Sequence, residues 1–533
     1  MIQKKSGAIE LLIVLAVSAV LVFTMVFGFG TFYSGWHLVD DHMTFGFYDK
    51  LKNQGYSLWK LIREMFIYDY VDQYRDRFLF HPHRIIQTYF FGLDPKPYFI
   101  VKAVESVFAI TAMYYAGKEL NLNRAGAAAF SLTYFCGPQC AVWWKHGTPQ
   151  IEASLFFALG FWMMLRYLKS GSRKHSFLSV LFFLLMSNHH ESFIVMLPFI
   201  ILFAVYYDWR KMGDKVQINL EVLWKAIRKR LAFEICLAVI FLFHMVYIIF
   251  FLGVNNYGSV DTHYPISDAL NNYVLSLRGD LKYYWYFGVV LLFILVSFYE
   301  DFVKYLWAEL LMLAAIIVPQ LALYSKEGLF ERYLLPITFA WSILFVGKAY
   351  GDGILKEKKR RIAYTVLLWA MIAVSIRKVA IEADYFRFRG QGVTAMLDEV
   401  VELQSKGYNV VSTLGTANPE ADMTTHKLLA AYNLPDCMYW NTEGVLDHPL
   451  HYDWNSEHVD YLDFDVQDAD FLIEYNRDDR HFTFDQDNID HSKFNYVRCG
   501  TLDLYFSDRL YETFSDEDLE RFKIKPTIYG LGE

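Results

Sequence analysis

Residues 176 to 207 read SFLSVLFFLLMSNHHESFIVMLPFIILFAVYY, two apolar runs parted by Ser187-Asn188-His189-His190-Glu191-Ser192. Read as one span, this stretch inverts every later loop. The basic segments Arg210 to Arg230 and Lys356 to Arg361 would then face outward, against the excess of Lys and Arg that cytoplasmic loops carry. Two short helices keep both segments inside. At a rise of 1.5 Å per residue, runs of this length reach only about 18 to 22 Å, so the polar turn sinks into the membrane. Irregular backbone at that depth is tolerated only where it lines a protein cavity.

Working outward, residues 9 to 30 follow Lys4 and Lys5 and form an apolar run long enough to cross a hydrocarbon core of about 30 Å. The run exceeds a signal-peptide core and no A-x-A site follows, so it is expected to stay as an anchor. Further spans are expected at 98–117, 125–143, 150–168, 231–253, 284–299, 305–324, 333–350 and 362–378. The expectation is an α-helical polytopic membrane protein of about eleven transmembrane helices, N-terminus cytoplasmic and C-terminal region extracytoplasmic. With 55% hydrophobic and 20% charged residues among 533, the chain is neither disordered nor fibrous. Five cysteines without a C-x-x-C pair exclude a disulfide scaffold. Cys437 and Cys499 pair only if the fold brings them together.

The net charge of -8 hides a split: residues 379–533 hold 31 Asp/Glu against 12 Lys/Arg, while residues 1–378 carry a basic excess. The expected division is a transmembrane domain, 1–378, with a large first external loop at 31–97, and an acidic extracytoplasmic α/β domain at 379–533. Leu58, Leu61, Ile62, Met65 and Phe66 give the loop a helix-periodic apolar face, as in helices that lie in the membrane interface. No basic groove for nucleic acid is evident.

Candidate chemistry collects on the outer side. Asp40 and Asp41 stand just beyond the first span, where adjacent like charges near low-dielectric walls are costly. Arg75, Arg77 and Arg84 crowd the later part of the same loop, and guanidinium forks suit phosphate or carboxylate. Lys145 with His146, His189 with His190 and Glu191, and Glu331 with Arg332 sit at expected outer ends of spans, where ionisable groups mark substrate paths by default. Adjacent histidines on a helix point apart, H-E-x-x-H is absent and the tail lacks a calcium-loop pattern, while His81 and His83 are weak metal candidates that suit structural roles better; no cofactor is expected, and a divalent metal is left open without a firm ligand set.

In their order and common side, Asp40-Asp41-His42-Met43-Thr44-Phe45-Gly46, His190-Glu191-Ser192-Phe193 and Arg332-Tyr333-Leu334-Leu335-Pro336 resemble motifs of the GT-C superfamily of membrane glycosyltransferases, in particular protein O-mannosyltransferases and lipid A aminoarabinose transferases of bacterial type. Those relatives usually carry Asp-Glu where Asp40-Asp41 stands, and lysine where His190 stands. The resemblance implies a polyprenyl-phosphate-linked sugar donor, an extracytoplasmic acceptor that is a cell-envelope glycan, lipid or protein, and location in the bacterial plasma membrane. It further implies that Asp40 takes the acceptor proton in an inverting single displacement while Arg332, with Lys145, Arg75 or Arg77, steadies the departing phosphate.

Two other readings compete. An O-antigen-type polymerase or ligase commonly places its large loop late, unlike the 31–97 loop. A lipid-linked glycan transporter or flippase would carry paired broken helices in two halves, and this sequence offers one pair. The layout is checked by cysteine-accessibility labelling in intact cells: single cysteines at 208–230 and 351–361 should be protected from an impermeant reagent and those at 379–533 labelled, whereas a protected tail would overturn it.

Overall fold

The computed structural model describes residues 2–38, 40–67, 77–137, 147–212, 220–250, 264–297, 307–326, 328–329, 333–350, 358–412, 419–439, 470–475, 494–499 and 502–507. Apolar runs with few charges satisfy their backbone internally by forming helices, and the architecture is accordingly helical. Five helical segments are long and apolar enough to cross a membrane: Gly7–Gly28, Pro95–Glu119, Gln150–Ser170, Glu191–Met212 and Leu231–Phe250. Shorter apolar helices occupy Trp285–Val296, Leu310–Leu323 and Leu335–Val346. They share one core, at whose centre the ring of Phe339 meets Phe157 and Phe161 edge-on at 4.7 and 4.9 Å.

The polar turn interrupts the chain where the sequence places it. Helix Arg173–Ser187 stops at Asn188, and His190, in extended backbone, accepts the Ser192 N–H on its own ring to cap the single turn Glu191–Ile194. Pro198 then sits in the first turn of Leu197–Met212, a position that needs no backbone N–H. At the far end of that helix buried Asp208 takes Arg230 at 2.5 Å and Lys229 at 2.8 Å, and Arg230 also donates to Leu168 O.

The stretch 31–97 contains helices His42–Lys52, Leu58–Ile67 and Phe80–Phe91. Leu61 and Met65 pack on Phe47 and Ile85 while Trp59, Phe66 and Phe90 point outward, the two-faced arrangement of interfacial helices.

The helix that holds the expected span 362–378 runs on past it as one helix, Lys358–Ser405, of 48 residues. Its C-terminal third packs Val393, Met396 and Val400 against Trp36, Phe45 and Tyr98. Beyond it β1 (Val410–Ser412), β2 (Met438–Tyr439), β3 (Phe471–Tyr475), β4 (Phe494–Cys499) and β5 (Leu502–Ser507) form one sheet in the order β2-β1-β3-β5-β4. β1 runs parallel to β2 and β3, and the remaining pairs are antiparallel. Cys437, free and buried, precedes β2 at one edge, and Cys499 ends β4 at the other. Four strand spacings of about 4.8 Å keep them too far apart for the roughly 7 Å limit of a disulfide. Burial pushes the Cys437 thiol well above its ordinary range.

Helix Pro419–Ala431 seats the sheet on the first loop. Thr424 Oγ1 donates to Leu38 O, and Asn53 Nδ2 donates to Ala430 O and Ala431 O at 2.9 and 3.1 Å. Trp36 N donates to Thr394 Oγ1 at 2.7 Å, and Gly35 allows that approach: it lies at φ +73°, and a Cβ there would stand 2.0 Å from the same oxygen. Gly55 has a similar φ of +69° with nothing within 4 Å. Gly55→Ala should therefore cost only left-handed strain, about 1 kcal/mol, whereas Gly35→Ala must also displace Thr394. Thermal melting of the two variants checks this, and equal losses would mean that the loop does not depend on the long helix.

Candidate functional site

Six residues, Gly147-Thr148-Pro149-Gln150-Ile151-Glu152, lead into helix Gln150–Ser170 and meet the acidic pair, Lys102, His190 and His83. The acidic pair comes first. Asp40 adopts φ +73°, a left-handed conformation that Asp and Asn tolerate better than most residues. Asp41 follows fully buried, its carbonyl accepting Thr44 N–H at 2.9 Å and its Oδ2 accepting His37 N–H at 2.8 Å. Asp40 is only half-buried. A Cβ on Gly147 would lie 2.5 Å from Asp41 Oδ1 and 2.7 Å from Asp40 Cβ, so bare backbone is what lets the two segments meet.

Thr148 then accepts the buried ammonium of Lys102 on its carbonyl at 3.1 Å and its hydroxyl at 3.2 Å. Lys102 also lies within the electrostatic reach of Glu152, Arg84, Glu105 and Asp41. Arg84 is buried with its guanidinium 5.6 Å from the rings of Phe80 and Tyr98. Gln150 Nε2 lies 3.1 Å from His190 Nε2 in the polar turn, whose Nδ1 is 2.8 Å from Ser192 Oγ.

Arg77 Nε donates to both oxygens of Glu191, at 3.0 and 2.9 Å. Leu79 N donates to Asn188 O at 2.9 Å, so the first loop is bound directly to the turn. Tyr333 is buried with its ring 6.4 Å from that of His190, stacks on Tyr324 at 4.2 Å, and accepts Gln320 Nε2 on its carbonyl at 2.9 Å.

Of the sequence candidates, Asp40, Asp41 and His190 thus meet residues 147–152, Arg77 is paired with Glu191 beside His190, Tyr333 lies next to His190, and Arg84 is within electrostatic reach of Lys102. Arg75, Lys145, His146 and Arg332 lie outside the described residues.

Lys102, Glu105, Gln150 and Glu152 join the site without having been singled out by sequence. Glu152 Oε1 lies 3.7 Å from His83 Nδ1, and Glu105 Oε1 lies 3.6 Å from His83 Nε2. Burial pushes the His83 imidazole down to about 4, more than the neighbouring Glu152 raises it, so it is neutral at physiological pH. Ionisable residues inside an apolar span are themselves a functional signal. Lys102, Glu105 and Glu152 fall within the expected spans 98–117 and 150–168, and escape a search confined to span ends.

No protein-family model and no curated protein matches the chain. Among solved structures it is similar to ArnT from Cupriavidus metallidurans bound to undecaprenyl phosphate, at 12% identity over 81% of this chain and 86% of that one, with a TM-score of 0.45. It is also similar to the Archaeoglobus fulgidus oligosaccharyltransferase tethered to an acceptor peptide containing the NVT sequon, at 13% identity over 88% of this chain and 69% of that one, with a TM-score of 0.44.

The Arg77–Glu191 pair carries a thermodynamic signature. Removing one partner of a fully buried pair costs about 3 to 5 kcal/mol, and the partly buried Arg77 sets that as the upper end of the loss here. Arg77→Ala should lower the melting temperature strongly, and the Arg77→Ala, Glu191→Ala double variant should recover part of the loss. Additive losses would mean that the two side chains do not act as a pair.

Proposed function

We propose that the chain is an integral membrane glycosyltransferase that moves a sugar from a polyprenyl-phosphate donor to an acceptor hydroxyl or amine on the outer side of the membrane. In this reading eleven spans carry the site, and residues beyond the long helix form an extracytoplasmic α/β domain. The observation that carries it is a half-buried carboxylate, Asp40, held in strained backbone against Gly147, one residue from the Thr148 that grips the buried Lys102.

The chemistry divides between those groups. The acceptor proton passes to an Asp40 carboxylate oxygen as the acceptor heteroatom bonds to the anomeric carbon. The bond from that carbon to the phosphate oxygen breaks, and its electron pair leaves with polyprenyl phosphate. Attack opposite the leaving group inverts the anomeric centre. Negative charge grows on the phosphate, so cations held in a dry site lower the barrier. Lys102 and Arg84 supply that charge from the buried side, and Arg332 supplies it from the opening of a late span. Asp41, committed to the His37 N–H, holds the turn that presents Asp40. A lipid-borne donor also accounts for a site cut into the bilayer.

Asp40→Asn is a clean test because asparagine tolerates the same left-handed backbone. Turnover of a polyprenyl-phosphate sugar by purified protein should fall by the roughly 10² to 10⁴ that a general base contributes, with melting temperature and donor binding unchanged. Asp41→Asn should instead lower the melting temperature through its weakened bond to His37. Full turnover by Asp40→Asn would reject Asp40 as the base.

A further inference from the structure

Beneath the acidic pair lies a second constellation that sugar transfer does not use. His83 comes from helix Phe80–Phe91, Glu105 from Pro95–Glu119 and Glu152 from Gln150–Ser170. One donor atom from each lies within 4.8 Å of the others. Ligands held about 2.0 to 2.2 Å from a common cation stand roughly 3 to 4 Å apart, and the approach of Glu152 Oε1 to His83 Nδ1, 3.7 Å, falls in that range, while Glu105 Oε1 stands 3.6 Å from the other ring nitrogen. We propose that His83, Glu105 and Glu152 bind a divalent first-row cation of the zinc or manganese type.

Three observations carry the assignment. Glu152 is 2% exposed, and its Oε2, like Glu105 Oε2, is buried without a hydrogen-bond partner among the described residues. A buried carboxylate oxygen left in that condition costs free energy that a bound cation would offset. The donor set, one imidazole and two carboxylates, suits zinc and manganese better than calcium or magnesium, which favour oxygen alone.

The third is the partner of the ring. Gln87 Nε2 lies 3.2 Å from His83 Nε2, while Gln87 Oε1 is buried without a partner. Which end of an amide is oxygen is assigned from its surroundings, and turning this one lets His83 donate Nε2–H to Gln87 Oε1. That leaves the Nδ1 lone pair facing Glu152, the arrangement in which metal-bound histidines are held by a second residue. The alternative occupant of the same space is a proton shared by the two carboxylates, with Lys102 as their counter-ion.

The test needs no donor and no turnover, so its failure is distinct from failure of the transferase reading. Full-length protein in detergent, stripped with EDTA, is titrated with Mn²⁺ under electron paramagnetic resonance and with Zn²⁺ under thermal melting. One tightly bound ion per chain and a raised melting temperature are expected, with at least tenfold weaker binding in both Glu152→Gln and His83→Asn. Asp40→Asn should bind as wild type does. Should Glu152→Gln fail to fold, His83→Asn and X-ray absorption of the zinc-loaded wild type decide, the latter by one nitrogen and at least two oxygen neighbours. Absence of a bound ion, an ion retained by both ligand variants, or one lost in Asp40→Asn would overturn the assignment.

Discussion

A charge in an apolar bundle must be answered by another group, and here the answers pass through residues 147–152. Gly147 abuts the acidic pair, Thr148 receives Lys102, Gln150 meets His190 and Glu152 faces His83. In a medium of low dielectric each approach is strong and each loss costly. Side chains on two separate helices and two turns therefore meet one short segment.

The polar turn at Asn188–His190 depends on the same logic. Its backbone would be intolerable against lipid. It persists because Leu79 and Arg77 of the first loop supply a hydrogen bond and a counter-ion. The first loop is in turn packed against the C-terminal end of helix Lys358–Ser405 and helix Pro419–Ala431. At 1.5 Å per residue the long helix measures about 72 Å, enough to run through a bilayer and support the sheet beyond it.

What could be read from sequence follows from what each signal encodes. Apolar length and charge asymmetry are local sums, so the helical segments and the break at Ser187–Ser192 were legible, as was the acidic pair beyond the first span. Partnership is not local. Arg77 has acidic neighbours in sequence at Asp72 and Asp76, yet its bidentate partner is Glu191, 114 residues away. Nothing in the periodicity of Pro95–Glu119 says that Lys102 and Glu105 face Glu152. The strands of the tail were visible as runs such as Phe471–Tyr475, but their order was not, because edge and centre differ by neighbours that arrive from distant parts of the chain. Apolar residues thin out near residue 378, yet the helix continues to Ser405, because a helix needs no hydrophobic continuity to continue in water.

The contacts between Trp36 and Thr394 and between Leu38 and Thr424 span 358 and 386 residues. At a synthesis rate of about 5 to 20 residues per second, roughly 20 to 70 seconds separate the appearance of the acidic turn from that of the helix that holds it. Through that interval Asp40 and Asp41 have left the ribosome without the wall they fold against. The window is one in which a membrane-resident chaperone would find the first loop open, and in which slowed translation between residues 50 and 390 would lengthen its exposure.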